Sequence, residues 1–247
     1  WLNKQKVVQV DQVKKGYRIA TDKGLEVQAP VVISNIPLWN MPDVTTGVMQ
    51  DYFNKESAKY TDAWGAFTIG IVLSDTLDDE LSLHHQFHLP ARHPYSEWIA
   101  QSFFVSISMR GDTQRASKGN RVLNISTHCL PEKWLALDQD SHDNKKVEVQ
   151  QYLVEQLQKR LPGANTAEYF HLDAATPRTW EKWVYRKKGR VGGIPQSMRR
   201  AVWDWTSPVT PFKGMYLVGD TTYPGQGIPG VTLSGINVYY RIIKDFK

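Results

Sequence analysis

The sequence predicts a mixed fold, in which an α/β part at the two ends of the chain encloses an α+β part in the middle. Two short and continuously apolar runs, at residues 31–34 and 215–218, are typical of parallel strands that are buried on both faces. The middle of the chain instead alternates apolar and polar residues, which indicates a half-buried antiparallel sheet. We therefore expect one part to comprise residues 1–37 and 205–247 and the other to comprise residues 38–204.

The N-terminal residues predict a small β-meander that leads into the parallel sheet. Val7, Val8 and Val10 begin a strand, and turns are expected at Gly16 and at residues 22–24. The apolar run at 31–34 then follows the meander, so we expect it to pair in parallel with the run at 215–218.

The middle of the chain predicts four strands and one long helix. The strands are expected at residues 66–75, 84–90, 102–110 and 121–129. Apolar residues then recur at every fourth position, as expected for one face of a helix, and Pro162 and Gly163 end it. These residues are Val149, Leu153, Leu157 and Leu161.

A second helix is expected from Pro229, because proline is favoured in the first turn of a helix. Its apolar residues occupy more than one stripe, which predicts a largely buried helix. They are Val231, Ile236, Val238, Ile242, Ile243 and Phe246.

The composition is that of an ordinary globular protein, with 41% hydrophobic and 22% charged residues among 247 and a net charge of +5. No nucleic-acid recognition motif or dense arginine stripe is evident, so we predict no nucleic-acid partner.

The single cysteine, Cys129, excludes an intrachain disulfide and lies where a buried thiol is expected. His84, His85 and His88 cannot all face one side of a strand, and we predict no metal site.

Gly225, Gly227 and Gly230 spell G-x-G-x-x-G, the spacing of a dinucleotide-binding turn. The preceding strand ends near Gly219, too far before the first of these glycines, and two prolines stiffen the segment. Too few residues follow Gly230 for the second strand and the ribose-binding acid of that unit. The pyrophosphate-binding interpretation is therefore rejected.

A glycine-rich helix start can still bind a cofactor. Free N–H groups and the helix dipole favour a negative group there, and glycines let a flat ring approach the backbone. Asp220, at the end of the strand, could accept hydrogen bonds from a polyol. These features fit FAD, but a turn that needs its glycines for its own conformation explains the pattern equally well.

Longer stretches resemble a known family. The segment "MYLVGDTTYPGQGIPGVTLSGINVYYRI" (215–242) resembles the C-terminal FAD-binding signature of the phytoene desaturase and carotenoid isomerase family, which includes retinol saturase-like enzymes. That family belongs to the flavin amine oxidase superfamily. The segments "TPRTWEKWVYRKKGRVGGIPQS" (176–197) and "VVQVDQVKKGYRIATDKGLEVQAPVVISNIPLW" (7–39) resemble it as well.

The resemblance implies the C-terminal portion of a Rossmann-like, GR2-type FAD-binding fold with an inserted antiparallel-sheet substrate domain. The N-terminal dinucleotide-binding βαβ unit is missing from the sequence, and the chain lacks an initial Met, so we expect a fragment that is inactive alone. The resemblance assigns cofactor contacts to the adenine, the ribityl and pyrophosphate groups, and the pyrimidine end of the flavin. The residues are, in that order, Val7, then Gly219 and Asp220, then Gly227, Ile228, Pro229, Gly230 and Val231.

The implied function is FAD-dependent desaturation, saturation or isomerisation of a long isoprenoid polyene, with no catalytic side chain assigned. Two alternatives stay open: a flavin enzyme that oxidises a polar amine, and a non-catalytic lipid-binding remnant. Five residues are expected on the substrate side: Trp180, Tyr185, Gly192, Gly193 and Tyr223.

A polyene resides in membranes, and no apolar run of the sequence is long enough to span one. We therefore expect peripheral docking, on the cytoplasmic side, through basic and aromatic residues. The expected residues are Lys187, Lys188 and Arg190 beside Trp180, Trp183 and Tyr185. A packed aromatic cluster with solvated lysines is the alternative, and the oligomeric state is left open.

Overall fold

The structure, a computed structural model, describes residues 2–198 and 200–247 and divides into two compact units. Unit 1 combines the chain up to residue 63 with the chain from residue 192 onwards, and unit 2 is Trp64–Val191. These boundaries differ from the expected ones, because residues 38–63 and 192–204 pack with the two ends of the chain. The assignment of the two parts to cofactor and substrate stays a prediction.

Unit 1 contains the expected meander and the expected parallel pair. Strands β1 (Val7–Val13), β2 (Gly16–Thr21) and β3 (Glu26–Ala29) form an antiparallel sheet in that order. Strand β4 (Val32–Ser34) pairs in parallel with the last strand, β10 (Met215–Leu217). The prediction that these two apolar runs share one sheet is therefore confirmed.

The core of unit 1 joins residues that are far apart in the sequence. Helices α1 (Met41–Val44) and α2 (Gly47–Ser57) follow β4, and they contribute Met41, Met49 and Phe53 to this core. Ile194 and Leu217 lie in the same cluster. The early helices therefore pack with the C-terminal segment, which explains why the observed boundary of unit 1 lies beyond residue 37.

The C-terminal helix of unit 1, α6 (Ile228–Asp245), forms where the sequence predicts it, but it is not largely buried. Only Ser234 and Val238 are buried along it. Much of its apolar surface is exposed, including Ile236 (46%), Tyr239 (60%) and Tyr240 (66%). The prediction of a buried helix is wrong because one stripe of this 18-residue helix, with Ser234 and Val238, is buried among the described residues, and the other apolar side chains have no element packed over them there.

Unit 2 is an antiparallel sheet with helices, as the alternating pattern predicts. Its five strands are ordered β6-β7-β8-β5-β9 and every neighbouring pair is antiparallel. They are β5 (Gly65–Ser74), β6 (His84–His88), β7 (Ser102–Ile107), β8 (Asn120–Cys129) and β9 (Tyr169–Ala175). The helices of this unit are α3 (Pro131–Leu135), α4 (Gln139–Arg160) and α5 (Pro177–Val184).

The core of unit 2 lies between α4 and one face of this sheet. Val149, Leu153 and Leu157 of α4 are fully buried with the inward residues of β5, β7 and β8. Cys129 is buried at the end of β8, and burial raises the pKa of its thiol, so it is expected to be unreactive. Among the described helices of both units, none is long and apolar enough to cross a membrane.

An ion pair within the meander of unit 1, between Asp11 and Arg18, also accepts a hydrogen bond from the residue that precedes helix α2. The Asp11 carboxylate accepts hydrogen bonds from Thr46 Oγ1 (2.6 Å), Gln9 Nε2 (2.9 Å) and Arg18 Nη2 (2.7 Å). These bonds, with that from Thr46 contributing most, lower the pKa of Asp11 from 3.8 to about 2. The charged carboxylate therefore stabilises the folded chain.

We expect the Asp11→Asn variant to lower the free energy of unfolding by about 1–2 kcal/mol at neutral pH, because a partly exposed network is screened by solvent. Since the folded pKa is depressed, this contribution is present above pH 3.8 and is lost as the pH falls through about 2. Urea denaturation across this pH range measures it. Asp51→Asn, on the exposed face of α2, is the matched control. Two results would contradict this explanation. One is an equal loss of unfolding free energy in both variants, and the other is a difference between Asp11→Asn and the original chain that persists at the lowest pH.

Candidate functional site

The site is formed where β10 ends and the chain turns towards α6. The Val218 N–H donates to Ser34 O (2.9 Å), so the parallel pairing continues one residue beyond β10. Gly219 then has a φ of 107°, and a Cβ there would lie 2.4 Å from Asn35 Oδ1. Only glycine fits this turn, because its conformation and its neighbour both exclude a side chain.

Buried hydroxyl groups connect the end of β10 to α6. The Gly219 N–H donates to Ser234 Oγ (3.2 Å), and Ser234 Oγ lies 3.0 Å from Thr222 Oγ1. Thr222 Oγ1 also donates to Gly219 O (3.2 Å). Both hydroxyl-bearing residues are fully buried. Each bond satisfies a polar group that burial would otherwise penalise, so this network fixes the helix against the strand end.

The Gly192–Gly193 turn packs against the backbone of Asp220. The Ile194 N–H donates to Asp220 O (3.2 Å), and a Cβ at Gly193 would lie 2.1 Å from that oxygen. Gly192 and Gly193 both have positive φ, at 87° and 72°. The structure therefore brings together two glycine-containing segments that are separated by more than twenty residues in the sequence.

The start of α6 presents backbone rather than side chains. Its N-cap residue, Gly227, has a φ of 85°, and a Cβ there would meet Pro229 Cδ at 3.9 Å. Among the described residues, no side chain caps this end and none in its first turn is acidic. Pro229 has no N–H, which leaves those of Ile228 and Gly230 directed along the helix axis towards the loop. This end of α6 favours a negative group.

The room beside Gly230 is occupied by the chain itself. A Cβ at Gly230 would lie 2.7 Å from Gly225 O, so the loop folds back onto the first turn of α6. Contact with this carbonyl oxygen therefore explains why residue 230 is glycine, and space for a flavin ring is not needed to explain it. Gly227 is different, because the direction of its Cβ is open and its positive φ alone requires glycine.

The residues present fit a flavin cofactor at one side of this loop. The uncapped N–H groups suit the electron-rich pyrimidine edge of a reduced flavin, and the half-buried Asp220 lies at the strand end beside it. Gly227, Ile228 and Pro229 are exposed, so a ligand can reach the helix start. Tyr223 is exposed at 40% on the same loop and packs near the Trp205 ring, with 6.0 Å between the ring centroids.

The structure brings together only part of the predicted site. Residues 219–231, Gly192, Gly193 and Tyr223 lie in unit 1 on connected segments. Val7 is also in unit 1, but it lies on β1, and no described contact joins it to this loop. Trp180 and Tyr185 belong to unit 2. The adenine contact of Val7 and the substrate contacts of these two aromatic residues stay predictions.

Sequence reasoning missed the polar residues that hold the loop in place. Ser234 and Thr222 form the buried network, and Asn35 and Gln226 lie against Gly219 and Gly192. One signal was available: Ser234 and Val238 are four residues apart on the only stripe of α6 that is buried. A hydroxyl on a buried helix stripe indicates a hydrogen bond to a neighbouring element.

A cavity of about 670 Å³ in unit 1 shares Trp205 with the surroundings of this loop and has aromatic and charged residues in its lining. Tyr60, Trp203 and Trp205 contribute rings, and Asp62 contributes a carboxylate. The Arg200 guanidinium lies 4.9 Å from the centroid of the Tyr60 ring, and its Nη2 lies 3.1 Å from Asp62 Oδ1. One ring of this lining, that of Tyr60, therefore already contacts a cation of the protein itself.

We expect two glycine-to-alanine variants in α6 to act in opposite directions. Gly230→Ala should lower the free energy of unfolding by about 1–3 kcal/mol, because the added methyl group meets the Gly225 carbonyl. Gly235→Ala, with no neighbouring atom within 4 Å of the new Cβ, should raise it by about 1 kcal/mol through helix propensity. Urea denaturation of the 247-residue chain measures both. Equal effects would show that the loop does not pack on the helix start.

Comparisons with known proteins place the chain in a family. The family described as "Flavin containing amine oxidoreductase" matches residues 3–243. The chain is 31% identical over 238 residues to a chloroplastic prolycopene isomerase of Daucus carota and 29% identical over 240 residues to one of Arabidopsis thaliana. Each match covers 93% of this chain, but only 37% and 39% of the relatives.

Solved structures share the fold. A redesigned putrescine oxidase superposes with a TM-score of 0.62 at 14% identity, over 97% of this chain and 48% of that one. An oxidoreductase from Methanosarcina mazei superposes with a TM-score of 0.57 at 19% identity, over 96% and 49%. The chain thus spans less than half the length of each of these four proteins. The resemblance to carotenoid isomerases and the expectation of FAD as the cofactor are confirmed, and the chain belongs to the family of flavin-containing amine oxidoreductases.

Proposed function

We propose that the chain is the C-terminal part of an FAD-dependent enzyme that isomerises, desaturates or saturates a long isoprenoid polyene. The observation that carries this proposal is the junction of β10, the Gly192–Gly193 turn and the uncapped start of α6. This junction offers backbone N–H groups and an exposed approach to them, which suits a flat, electron-accepting ring.

The proposal assigns the pyrophosphate-binding unit to residues outside this chain. The chain matches less than half of each relative, and its own G-x-G-x-x-G does not directly follow β10. The antiparallel sheet of unit 2, which lies in sequence between the two segments of unit 1, would be the inserted substrate domain. The chain alone is then expected to lack activity.

Each part of the junction has a proposed role. Asp220 accepts hydrogen bonds from the polyol side of the cofactor, with Gly219 beside it. The N–H groups of Ile228 and Gly230, flanked by Gly227, Pro229 and Val231, hold the pyrimidine edge and stabilise negative charge there by about 0.3–2 kcal/mol. FAD, when bound, supplies the hydride or electron transfer that the polyene chemistry requires. The protein residues contribute position and electrostatic field, and no nucleophile is needed.

The polyene class rests on the prolycopene isomerases, which are the relatives with the highest identity reported above. The alternative substrate, a polar amine, is supported by the putrescine oxidase likeness only at the level of fold. The aromatic cavity of unit 1 would be a candidate amine site, but Arg200 in its lining pairs with the Asp62 carboxylate. The preference for the polyene over the amine therefore rests on the sequence relatives and not on this cavity.

The test is product analysis with the complete protein that contains this sequence, after FAD loading. We expect conversion of a poly-cis lycopene or of phytoene. Chromatography and mass spectrometry identify the products. Isomerisation leaves the mass unchanged, whereas each desaturation removes two hydrogens and each saturation adds two. Putrescine, assayed by hydrogen peroxide release, should give no turnover. Turnover of the amine and of neither polyene would contradict the proposal.

A matched pair of variants connects the activity to the junction. Asp220→Asn should weaken FAD binding about ten- to hundred-fold, the value of one charge-assisted hydrogen bond, and lower polyene conversion accordingly. Asp51→Asn, the same change on the exposed face of α2, should leave both unchanged. Melting of the apo-protein, measured in parallel, identifies loss of fold. Equal FAD affinity in both variants would contradict the role of Asp220.

A further inference from the structure

Three consecutive large apolar side chains project from unit 2 at the end of α5. Trp183 is 71% exposed, Val184 is 51% exposed and Tyr185 is 62% exposed. Tyr185 ends the helix in the left-handed conformation, with a φ of 56°. Single exposed apolar residues are common on protein surfaces, but a contiguous group of this size is typical of a binding surface. We call residues 182–188 the docking turn.

The docking turn is presented by a helix that is firmly anchored in unit 2. The Trp180 Nε1–H donates to Ala66 O of β5 (3.1 Å). At the other end of α5, Thr176 and Thr179 form a reciprocal capping box, and His142 Nε2 of α4 lies 2.9 Å from Thr176 Oγ1. Exposure of the three apolar residues is therefore built into the fold of this unit.

Basic residues surround the exposed aromatic rings. Lys182 Nζ lies 5.3 Å from the centroid of the Trp183 ring, and Arg186, Lys187 and Lys188 follow Tyr185 directly. Glu181 is the acidic residue beside them, and its Oε1 accepts the Lys188 backbone N–H at 2.7 Å. Arg186 and Lys187 are half-buried, and the Arg186 Nε–H donates to Arg190 O (2.6 Å), whereas Lys182 and Lys188 are exposed. Two exposed lysines beside one glutamate leave this turn positively charged.

The structure corrects two members of the docking surface that the sequence suggested. Arg190 is only 8% exposed, and its Nη2 lies 3.3 Å from Glu132 Oε1. Trp180 is half-buried and held by its hydrogen bond to Ala66. The alternative of a packed aromatic cluster fits Trp180, but it does not fit Trp183 or Tyr185, which are exposed.

We propose that the docking turn inserts into the interface of a membrane that contains anionic lipids. Tryptophan and tyrosine are suited to this depth, because each has an apolar ring with a polar group. The exposed Lys182 and Lys188 stay at the headgroups and are attracted to negative charge. The combination of aromatic and basic groups on one turn favours a lipid surface over a neutral apolar partner. Docking adds to the proposed function by bringing the enzyme to the phase where a polyene resides.

The first test measures co-flotation of the 247-residue chain with vesicles of phosphatidylcholine alone or mixed with phosphatidylglycerol. We expect binding to the anionic vesicles that weakens as salt is raised. The double variant Trp183→Ser with Lys188→Asn should bind at least about tenfold more weakly. Asparagine suits the left-handed conformation of residue 188, whose φ is 58°, so the backbone is preserved.

The matched control is Phe170→Ser with Lys118→Asn, which removes one exposed ring and one exposed lysine elsewhere in unit 2. It should bind the anionic vesicles as the original chain does. Circular dichroism of both double variants verifies that they are folded. Equal binding of the two variants, equal binding to neutral and anionic vesicles, or no binding of the original chain would overturn the proposal.

A second measurement locates the inserted residues without removing them. Cys129 is the only cysteine and is buried, so a fluorophore on Val184→Cys labels position 184 selectively. An environment-sensitive label there should shift to the blue on anionic vesicles, whereas the same label on Val48→Cys, an exposed valine of α2, should not. Equal shifts, or self-association of the chain through the docking turn in sedimentation experiments, would overturn membrane docking. Neither test uses FAD or substrate, so a negative result in either test would not contradict the proposed function.

Discussion

The candidate site depends on the buried hydrogen bonds between the end of β10 and α6. The Gly219 N–H and the Thr222 hydroxyl both meet Ser234, which is fully buried on the helix. This connection sets where α6 begins relative to the strand end, and so it determines the direction of the uncapped N–H groups. The turn at Gly193 then fits against the Asp220 carbonyl, because the loop between strand and helix is already fixed. Loss of the hydroxyl network would therefore shift the start of α6 relative to the strand end.

The same arrangement explains the unusual exposure of unit 1. Two parallel strands of three residues each form a small sheet, α6 is hydrogen-bonded to the end of it, and most apolar residues of the helix stay exposed. Parallel strands are normally buried on both faces, yet Ile33 of β4 is 54% exposed. Unit 2, by contrast, has five antiparallel strands and covers its core with α4. The exposed apolar surface of unit 1 is therefore consistent with its proposed role as one part of a longer flavoenzyme.

Periodicity predicted much of the fold, because it reports burial directly. The alternation in β7 and β8 and the four-residue repeat in α4 correspond to observed elements, and the two apolar runs pair as β4 and β10. The glycines of the site were recognisable in the sequence, but the contacts that require glycine at these positions were not. Gly230 avoids a carbonyl of its own loop, and Gly219 avoids Asn35. Contacts of this kind depend on tertiary folding, as does the exposure of α6, so no local pattern in the sequence contains them.

The central claim is that the amide groups at the start of α6 contact the cofactor. Hydrogen–deuterium exchange of the complete protein, with and without FAD, tests it most directly. The account predicts slower exchange on FAD binding for the amides of residues 225–231 and unchanged exchange in β6, on the edge of the unit 2 sheet. Saturating FAD that leaves the exchange of residues 225–231 unchanged would contradict it.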